Sequence, residues 1–347
     1  MKILLDHQIF SSQTVGGISR YHIEYLKKIR AEYEIPVFFS NNLYLKELKQ
    51  VKGFFPGTRF RGKERLLELI NRQKTISALR EGDFDVFHPT FYSSSTLPHL
   101  KNRPMVLTVH DMIHDRWNQL PAAKWEMREK FIMAKAASAI IVPSRFTADE
   151  LMELYDIPAA KIHVVYHGVP EWKADINTRK IPGRFLFVGG RKYYKNFDIV
   201  LKALQLFPES TLALTGPKLS PEECAKIADA GLQNKIRYCF CRSDEELAAL
   251  YASSEALIFP SKAEGFGLPL LEAFIAGTPV ICSDIPVFRE IGRDCAIYFD
   301  PDRPEALADA MRSIQSSRLA GDVQELLKNF SWEKCAAETL SVYESIL

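Results

Sequence analysis

The sequence predicts an α/β protein of two doubly wound parallel-sheet domains. Three observations carry that prediction. Short apolar runs bounded by glycine, proline or polar residues alternate with amphipathic stretches along both halves, as strand–helix–strand units require. A chain of 347 residues exceeds one ordinary core and suits two. In each half an early strand runs into a diglycine, Gly16-Gly17 and Gly189-Gly190, where the backbone must turn towards a helix.

Composition narrows the class. At 47% hydrophobic and 25% charged residues the chain is ordinary globular material. Its net charge of +2 hides an asymmetry: residues 1–170 carry 24 Lys and Arg against 18 Asp and Glu, and the remainder carries 21 against 25. A basic first half and an acidic second half imply different partners for each. All six cysteines (Cys224, Cys239, Cys241, Cys282, Cys295 and Cys335) fall in the second half without a Cys-x-x-Cys pair. They read as reduced thiols of a cytoplasmic protein, with Cys239 and Cys241 on one face of a strand. Asp6 and His7 break the first apolar run too early for a signal peptide, and no run approaches the roughly 18 apolar residues of a membrane span.

In chain order, Lys2–Asp6 reads as the first strand and Gly16-Gly17 as the mouth of a helix whose apolar positions are Ile23, Leu26 and Ile29. Pro36–Phe39 reads as the second strand. Residues 46–80 then hold ten Lys and Arg, among them Lys52, Arg59, Arg61, Lys63 and Arg65, interleaved with Phe54, Phe55 and Phe60. Such a mixture suits peripheral contact with an anionic membrane surface or a lipid diphosphate, although a charged run also serves as a solvated helix face. No nucleic-acid module surrounds these charges, so nucleic acid is not expected as a partner. Asp83-Phe84-Asp85 precedes a strand and reads as a turn, so no metal is expected there. Two histidines close strands: His88 after Val86-Phe87, and His110 after Val106–Val109 with Asp111 next to it. Ligands of open parallel sheets bind at such strand ends, which makes His88 a candidate on the acceptor side; His110, with Asp111 beside it, stands at a second such end, where a histidine also serves structurally, held by its neighbour. Ala139–Ser144 and Lys161–Val169 complete the first domain, 1–170, and the polar stretch 171–180 is read as a linker.

The second domain, 171–330, opens on Phe185–Val188 and Gly189-Gly190, with Arg191 and Lys195 four residues apart just beyond. No Gly-x-Gly-x-x-Gly follows, so the nicotinamide fingerprint is missing. A guanidinium and an ammonium after a strand fit a phosphate ligand. Leu212–Pro217, Lys235–Arg242 and Pro279–Ser283 supply further strands, and residues 331–347 a last helix with the stripe Trp332, Ala336, Leu340, Tyr343 and Leu347.

The richest stretch is Ala263-Glu264-Gly265-Phe266-Gly267-Leu268-Pro269-Leu270-Leu271-Glu272, a loop entering a helix after the strand Ala256–Phe259. Pro269 suits the first helical turn, and Gly277 with Pro279 stops the helix. The N–H groups of Gly267, Leu268 and Leu270 are expected to face an anion. Glu264 and Glu272 would repel a phosphate there unless each accepts hydroxyls, a condition that a nucleotide sugar meets.

This stretch resembles the Glu-x7-Glu signature of the retaining glycosyltransferases of family 4, and the resemblance extends over nearly the whole chain. It implies a GT-B fold, two Rossmann-like domains facing across a cleft, with the last helix returning to the first domain. It implies that Glu264 lies at the transferred sugar and Glu272 at the ribose, with Gly265, Phe266, Gly267 and Leu268 along the donor. Arg191 and Lys195 would hold the donor phosphates. Gly16 and Gly17 would approach the diphosphate and the acceptor, and His110 the reacting sugar. The activity implied is transfer of a sugar from a nucleotide sugar to a glycan or lipid-linked hydroxyl without a metal or other cofactor, and bacterial surface-polysaccharide enzymes using GDP-mannose are the most similar members. Phe240 stands near a position where family members carry a glycine against the base, which leaves the base open. A nucleotide-sugar epimerase of the same shape and a non-catalytic sugar-nucleotide-binding protein are the alternative readings.

Overall fold

Two parallel sheets, one in each half of the chain, organise the fold. The computed structural model describes residues 1–48, 62–117, 121–172, 178–314 and 321–347. Within these, the chain forms two units, Met1–Gly168 together with Ser331–Leu347, and Val169–Phe330. Lys52, Phe54, Phe55, Arg59, Phe60 and Arg61 of the expected basic surface, and the middle of the expected linker, lie outside the described residues.

In the first unit, β1 (Lys2–Leu4) pairs in parallel with β2 (Glu32–Glu34) on one side and β3 (Val86–Phe87) on the other. β4 (Val106–Thr108), β5 (Ala139–Val142) and β6 (Ile162–Val164) follow in order, also parallel. A parallel bridge between Phe87 and Met105 joins the two sets. The resulting order, β2-β1-β3-β4-β5-β6, changes direction between β1 and β3, and the carboxyl ends of those strands are where such a sheet receives ligands. Strand residues Ile3, Val86, Val106 and Ile141 are buried with Tyr21, Tyr25 and Leu26 of the Gly17–Lys28 helix. The second strand does not fall at Pro36–Phe39 as expected. Val37 N–H turns back to the Ile35 carbonyl at 2.8 Å, and the N–H groups of Phe38 and Phe39 donate to Asn71 Oδ1. Pro36 has no N–H for a ladder, so the side chain of Asn71 takes over as acceptor for this segment.

The Trp332–Glu344 helix packs on the Gly17–Lys28 helix. Its buried face is Trp332, Cys335, Ala336, Thr339, Val342 and Tyr343, whereas Leu347 is exposed and Leu340 only partly covered. Three of the five expected positions, Trp332, Ala336 and Tyr343, thus lie on the true face, and only the four-residue steps to Leu340 and Leu347 outrun the 3.6-residue turn. Gly168 admits this helix: a Cβ there would lie 2.3 Å from the backbone nitrogen of Trp332.

The second unit has one six-stranded parallel sheet, ordered β12-β11-β10-β7-β8-β9. These strands are β7 (Arg184–Val188), β8 (Thr211–Thr215), β9 (Ile236–Tyr238), β10 (Ala256–Phe259), β11 (Val280–Ser283) and β12 (Ile297–Phe299). Direction reverses between β7 and β10, which pair through Phe185–Ala256 and Leu186–Leu257. β9 ends at Tyr238, so Cys239 and Cys241 sit in the loop beyond it and not on a strand face. All six cysteines are free thiols. Among the described residues no helix is long and apolar enough to cross a membrane.

Candidate functional site

The reversal between β7 and β10 gathers most of the sequence-predicted donor residues. Beyond β7 the backbone passes Gly189, with φ of +107°, and reaches a short 3-10 turn, Tyr193–Lys195. Beyond β10 it runs through Glu264 to Gly267, which caps the Leu268–Ile275 helix with φ of +108°. A Cβ on Gly267 would stand 3.1 Å from the Phe288 ring, so conformation and space both call for glycine. The two loops are tied together twice. Lys262 N–H donates to the Tyr194 carbonyl at 2.7 Å, and Lys195 Nζ lies 2.5 Å from Glu264 Oε1. Lys195 also stands 5.5 Å from the centroids of the Tyr194 and Phe259 rings, a cation held over aromatic faces.

At the helix mouth, one expectation needs correction. Leu270 N–H does not point at a ligand; it donates to the Gly267 carbonyl at 3.0 Å, which closes the first turn. Phe266 is buried and packs edge-on to Phe330, so it anchors the loop. Glu272 is buried one turn into the helix, and Tyr251 O–H donates to its Oε2 at 2.9 Å.

Arg191 is anchored through Nε and Nη2. Its Nε and Nη2 hold Glu223 at 2.6 and 3.0 Å, and Nη2 also donates to the carbonyls of Pro217 and Lys218. Nη1 is buried without a hydrogen-bond partner. Arg191 in turn holds the Glu223 carboxyl below its ordinary range. Glu223 closes a capping box with Ser220 at the start of the Pro221–Asp229 helix. Sequence reasoning missed Glu223 and Tyr251. The Ser220-x-x-Glu223 spacing signalled the cap, but nothing local signals that the same carboxylate reaches Arg191.

In the first unit, Gly16 caps the Gly17–Lys28 helix, its carbonyl accepting from Ser19 Oγ at 3.0 Å, and nothing lies within 4 Å of where a Gly17 Cβ would be. His110 follows β4 with its ring edge-on to Tyr21 at 5.1 Å and a buried, unpartnered Nε2. Burial pulls its pKa down to about 4; Asp111 opposes that shift and Lys130 adds to it. The ring is therefore a neutral imidazole at pH 7. Asp111 is fixed from both ends, since its carboxylate accepts Ile113 N–H at 3.0 Å and its carbonyl accepts Lys130 Nζ at 2.9 Å. Lys130, a buried residue that the sequence reading passed over, also pairs with Asp115 at 2.7 Å.

His88 does not reach an acceptor. It is fully buried, with Nδ1 2.5 Å from Tyr343 Oη and Nε2 2.8 Å from Thr108 Oγ1. Strand ends carry ligands only where the side chain emerges, and the Trp332–Glu344 helix covers this one. Asp83 forms an ion pair with Lys2 at 2.7 Å.

Comparison with known proteins bears on the whole chain. Residues 15–172 match the family model "Glycosyltransferase Family 4" and residues 169–331 match "Glycosyl transferases group 1". The O-antigen chain mannosyltransferase B of Escherichia coli is 28% identical over 374 residues, covering 94% of this chain and 96% of that protein. The MMP alpha-(1->4)-mannosyltransferase of Mycolicibacterium hassiacum is 29% identical, covering 80% and 74%. Among solved structures, a sucrose-phosphate synthase from Thermosynechococcus elongatus superposes with a TM-score of 0.74 at 18% identity, covering 99% and 98%. The lipopolysaccharide outer core galactosyltransferase WaaB does so with a TM-score of 0.68 at 17% identity over the full length of both chains. The fold shared with these structures is GT-B.

Proposed function

The chain belongs to glycosyltransferase family 4, as a hexosyltransferase of polysaccharide or glycolipid synthesis, and on that premise we propose that it moves mannose from GDP-mannose to a glycan or lipid-linked hydroxyl with retained anomeric configuration and without a metal. The observation that carries this reading is the Lys195–Glu264 pair at 2.5 Å, set at the sheet reversal beside the left-handed Gly267 cap. A cation, a helix N-terminus and two carboxylates within one loop pair match a diphosphate flanked by hydroxyl-bearing sugars.

Breaking the glycosidic bond leaves negative charge on the departing diphosphate. Lys195, the free Nη1 edge of Arg191 and the N-terminus of the Leu268–Ile275 helix would stabilise that charge in place. Glu264 would exchange Lys195 for a sugar hydroxyl, and Glu272, already oriented by Tyr251, would accept the ribose. The leaving phosphate itself would take the acceptor proton on the face it departs from, which retains configuration. Mannosyl specificity is supported by the mannosyltransferases among the similar proteins. A lipid-linked acceptor would bring the protein into peripheral contact with an anionic bilayer.

The test is a thermal-shift panel of GDP-, UDP- and ADP-sugars, followed by NMR of the product's anomeric proton with and without EDTA. GDP-mannose should raise the melting point by mass action, and the linkage formed should be α with EDTA present. An inverted product, or activity lost to EDTA and restored by a divalent cation, would overturn the mechanism.

A further inference from the structure

The first unit carries a cavity of about 540 Å³ with polar groups set in a largely apolar lining, a size that accommodates a small ligand. It lies beyond the carboxyl ends of β1 and β3, where that sheet reverses direction, and the two strand ends are bound together there. Asp6 Oδ1 accepts Thr90 N–H at 3.0 Å, and His88 N–H donates to the Leu4 carbonyl. His7, Arg65, Arg72, Ser94, Trp125 and Glu129 are among the residues lining it. None belongs to the site described above.

The polar wall is already oriented. His7 is buried, with Nδ1 2.9 Å from Thr75 Oγ1 and Nε2 3.0 Å from Glu68 Oε1. Glu129, also buried, takes the Ser94 N–H at 2.5 Å through Oε2, and its Oε1 meets no hydrogen-bond donor among the described residues. The outer wall is different in kind. Arg65 and Arg72 are seven residues apart on the Lys63–Glu81 helix, hence on one face, and neither forms an ion pair among the described residues. Between them Leu69 is 53% exposed, and on the Pro121–Ala136 helix Trp125 is 56% exposed. An indole left in water beside buried carboxylate and hydroxyl groups is suited to the apolar face of a sugar ring. Two unpaired guanidinium groups on the same rim are suited to a phosphate, which they can grip bidentately.

We infer that this cavity receives the acceptor, and that the acceptor is a sugar bearing a phosphate ester or diphosphate: the ring stacks on Trp125, its hydroxyls reach Glu129 and Ser94, and the phosphate is held by Arg65 and Arg72. The inference rests on the glycosyltransferase reading and adds the chemistry of its second substrate. Donor and acceptor charge are then managed separately, each at the reversal of its own sheet.

The experiment is calorimetry on the full chain, pre-saturated with whichever of GDP, UDP or ADP raises its melting point. Mannose 1-phosphate, methyl α-mannoside and inorganic phosphate are the probes. Mannose 1-phosphate should bind at least about tenfold more tightly than either of the others. The double variant Arg65→Gln/Arg72→Gln should bring it down to the level of the glycoside. Trp125→Ala should weaken mannose 1-phosphate about tenfold and leave inorganic phosphate unchanged, with Trp125→Phe restoring most of the loss. These side chains are exposed, so the variants should melt with the parent and bind the nucleotide equally. Equal binding of mannose 1-phosphate by parent and double-arginine variant would overturn the inference, as would a glycoside bound as tightly as the sugar phosphate. Binding of phosphate alone as tight as that of the sugar phosphate would also overturn it, since the cavity would then be an anion site only. Failure of all three nucleotides to bind would instead remove the donor reading, and the titrations, run without nucleotide, would still judge the cavity.

Discussion

Lys195 Nζ lies 2.5 Å from Glu264 Oε1, so the two charges expected to meet opposite ends of a nucleotide sugar meet each other first. Both side chains are largely shielded from water, at 19% and 12% exposure. A ligand entering here must replace the pair with phosphate for the lysine and hydroxyl for the glutamate, which keeps either charge from being stranded.

Removing the cation therefore removes a group that serves the transition state. Lys195→Ala should lower kcat on the order of 10²- to 10³-fold, the usual loss when one preorganised charge partner of a leaving group is deleted. Glu264→Gln keeps a hydroxyl acceptor but frees the ammonium, so it should act mainly on the sugar and lower kcat with little change in nucleotide affinity. Nucleotide release assays on both variants check this. Lys195→Ala turning over at the parental rate would remove the lysine from the phosphate.

Arg191 and Glu223 form the companion pair, and their unequal burial predicts an asymmetry. The arginine side chain is 3% exposed and the glutamate 22%. Glu223→Ala leaves a buried guanidinium with only the Pro217 and Lys218 carbonyls and undoes the capping box, so it should cost roughly 2–3 kcal/mol of stability. Arg191→Ala leaves a carboxylate that can reach water and still caps its helix. It should cost about 1 kcal/mol or less, yet lower kcat more than Glu223→Ala does. Urea unfolding midpoints set against kcat for the two variants provide the check.

The parts of this protein written in local pattern were legible from sequence. β7, β8, β10 and β11 of the second sheet fall on short apolar runs, and the Gly267-Leu268-Pro269 entry with Gly277 beyond marks a helix between two of them, whereas the edge strand β12, Ile297–Phe299, is too short to stand out and the sequence reading passed over it. Contacts made through space were not legible. His88 and His110 both end strands in the sequence, but only the fold shows that Tyr343, 255 residues away, seals the first of them. Glu223 and Tyr251 reach Arg191 and Glu272 from other helices, and no spacing announces that. Pro36–Phe39 is apolar like a strand and yet gives its N–H groups to Asn71, a competition that periodicity cannot reveal.

Gly267 offers a test of backbone chemistry. Its φ of +108° is a region that side-chain-bearing residues rarely enter, and its Cβ position is 3.1 Å from Phe288. Gly267→Ala should cost about 1–3 kcal/mol and tilt the helix mouth, weakening nucleotide binding. Gly277, at the far end of the same helix with φ of +68° and open space around it, is the control. Gly277→Ala should cost about 1 kcal/mol and leave nucleotide affinity unchanged. Calorimetric Kd values for the two variants separate a strained helix mouth from simple loss of stability.

His88 predicts the acid limit of the fold. Burial lowers its pKa to about 3, with His110 adding to the shift, and its neighbours include His22, Tyr25 and Tyr343. The unfolded chain takes up that proton near pH 6.5, while the folded protein refuses it until about pH 3. Between those values the unfolded state binds more protons, so stability falls as pH falls, by on the order of 1.4 kcal/mol per pH unit for this one ring. His22 and His167, also buried and shifted down, steepen the same limb. Above pH 6.5 these rings contribute no slope. His88→Gln, which can still meet Thr108 and Tyr343 without titrating, should flatten the dependence between pH 6 and pH 4 by about one proton, as read from urea midpoints at each pH. An unchanged slope would mean that His88 titrates alike in both states and that the covering helix does not seal it from water.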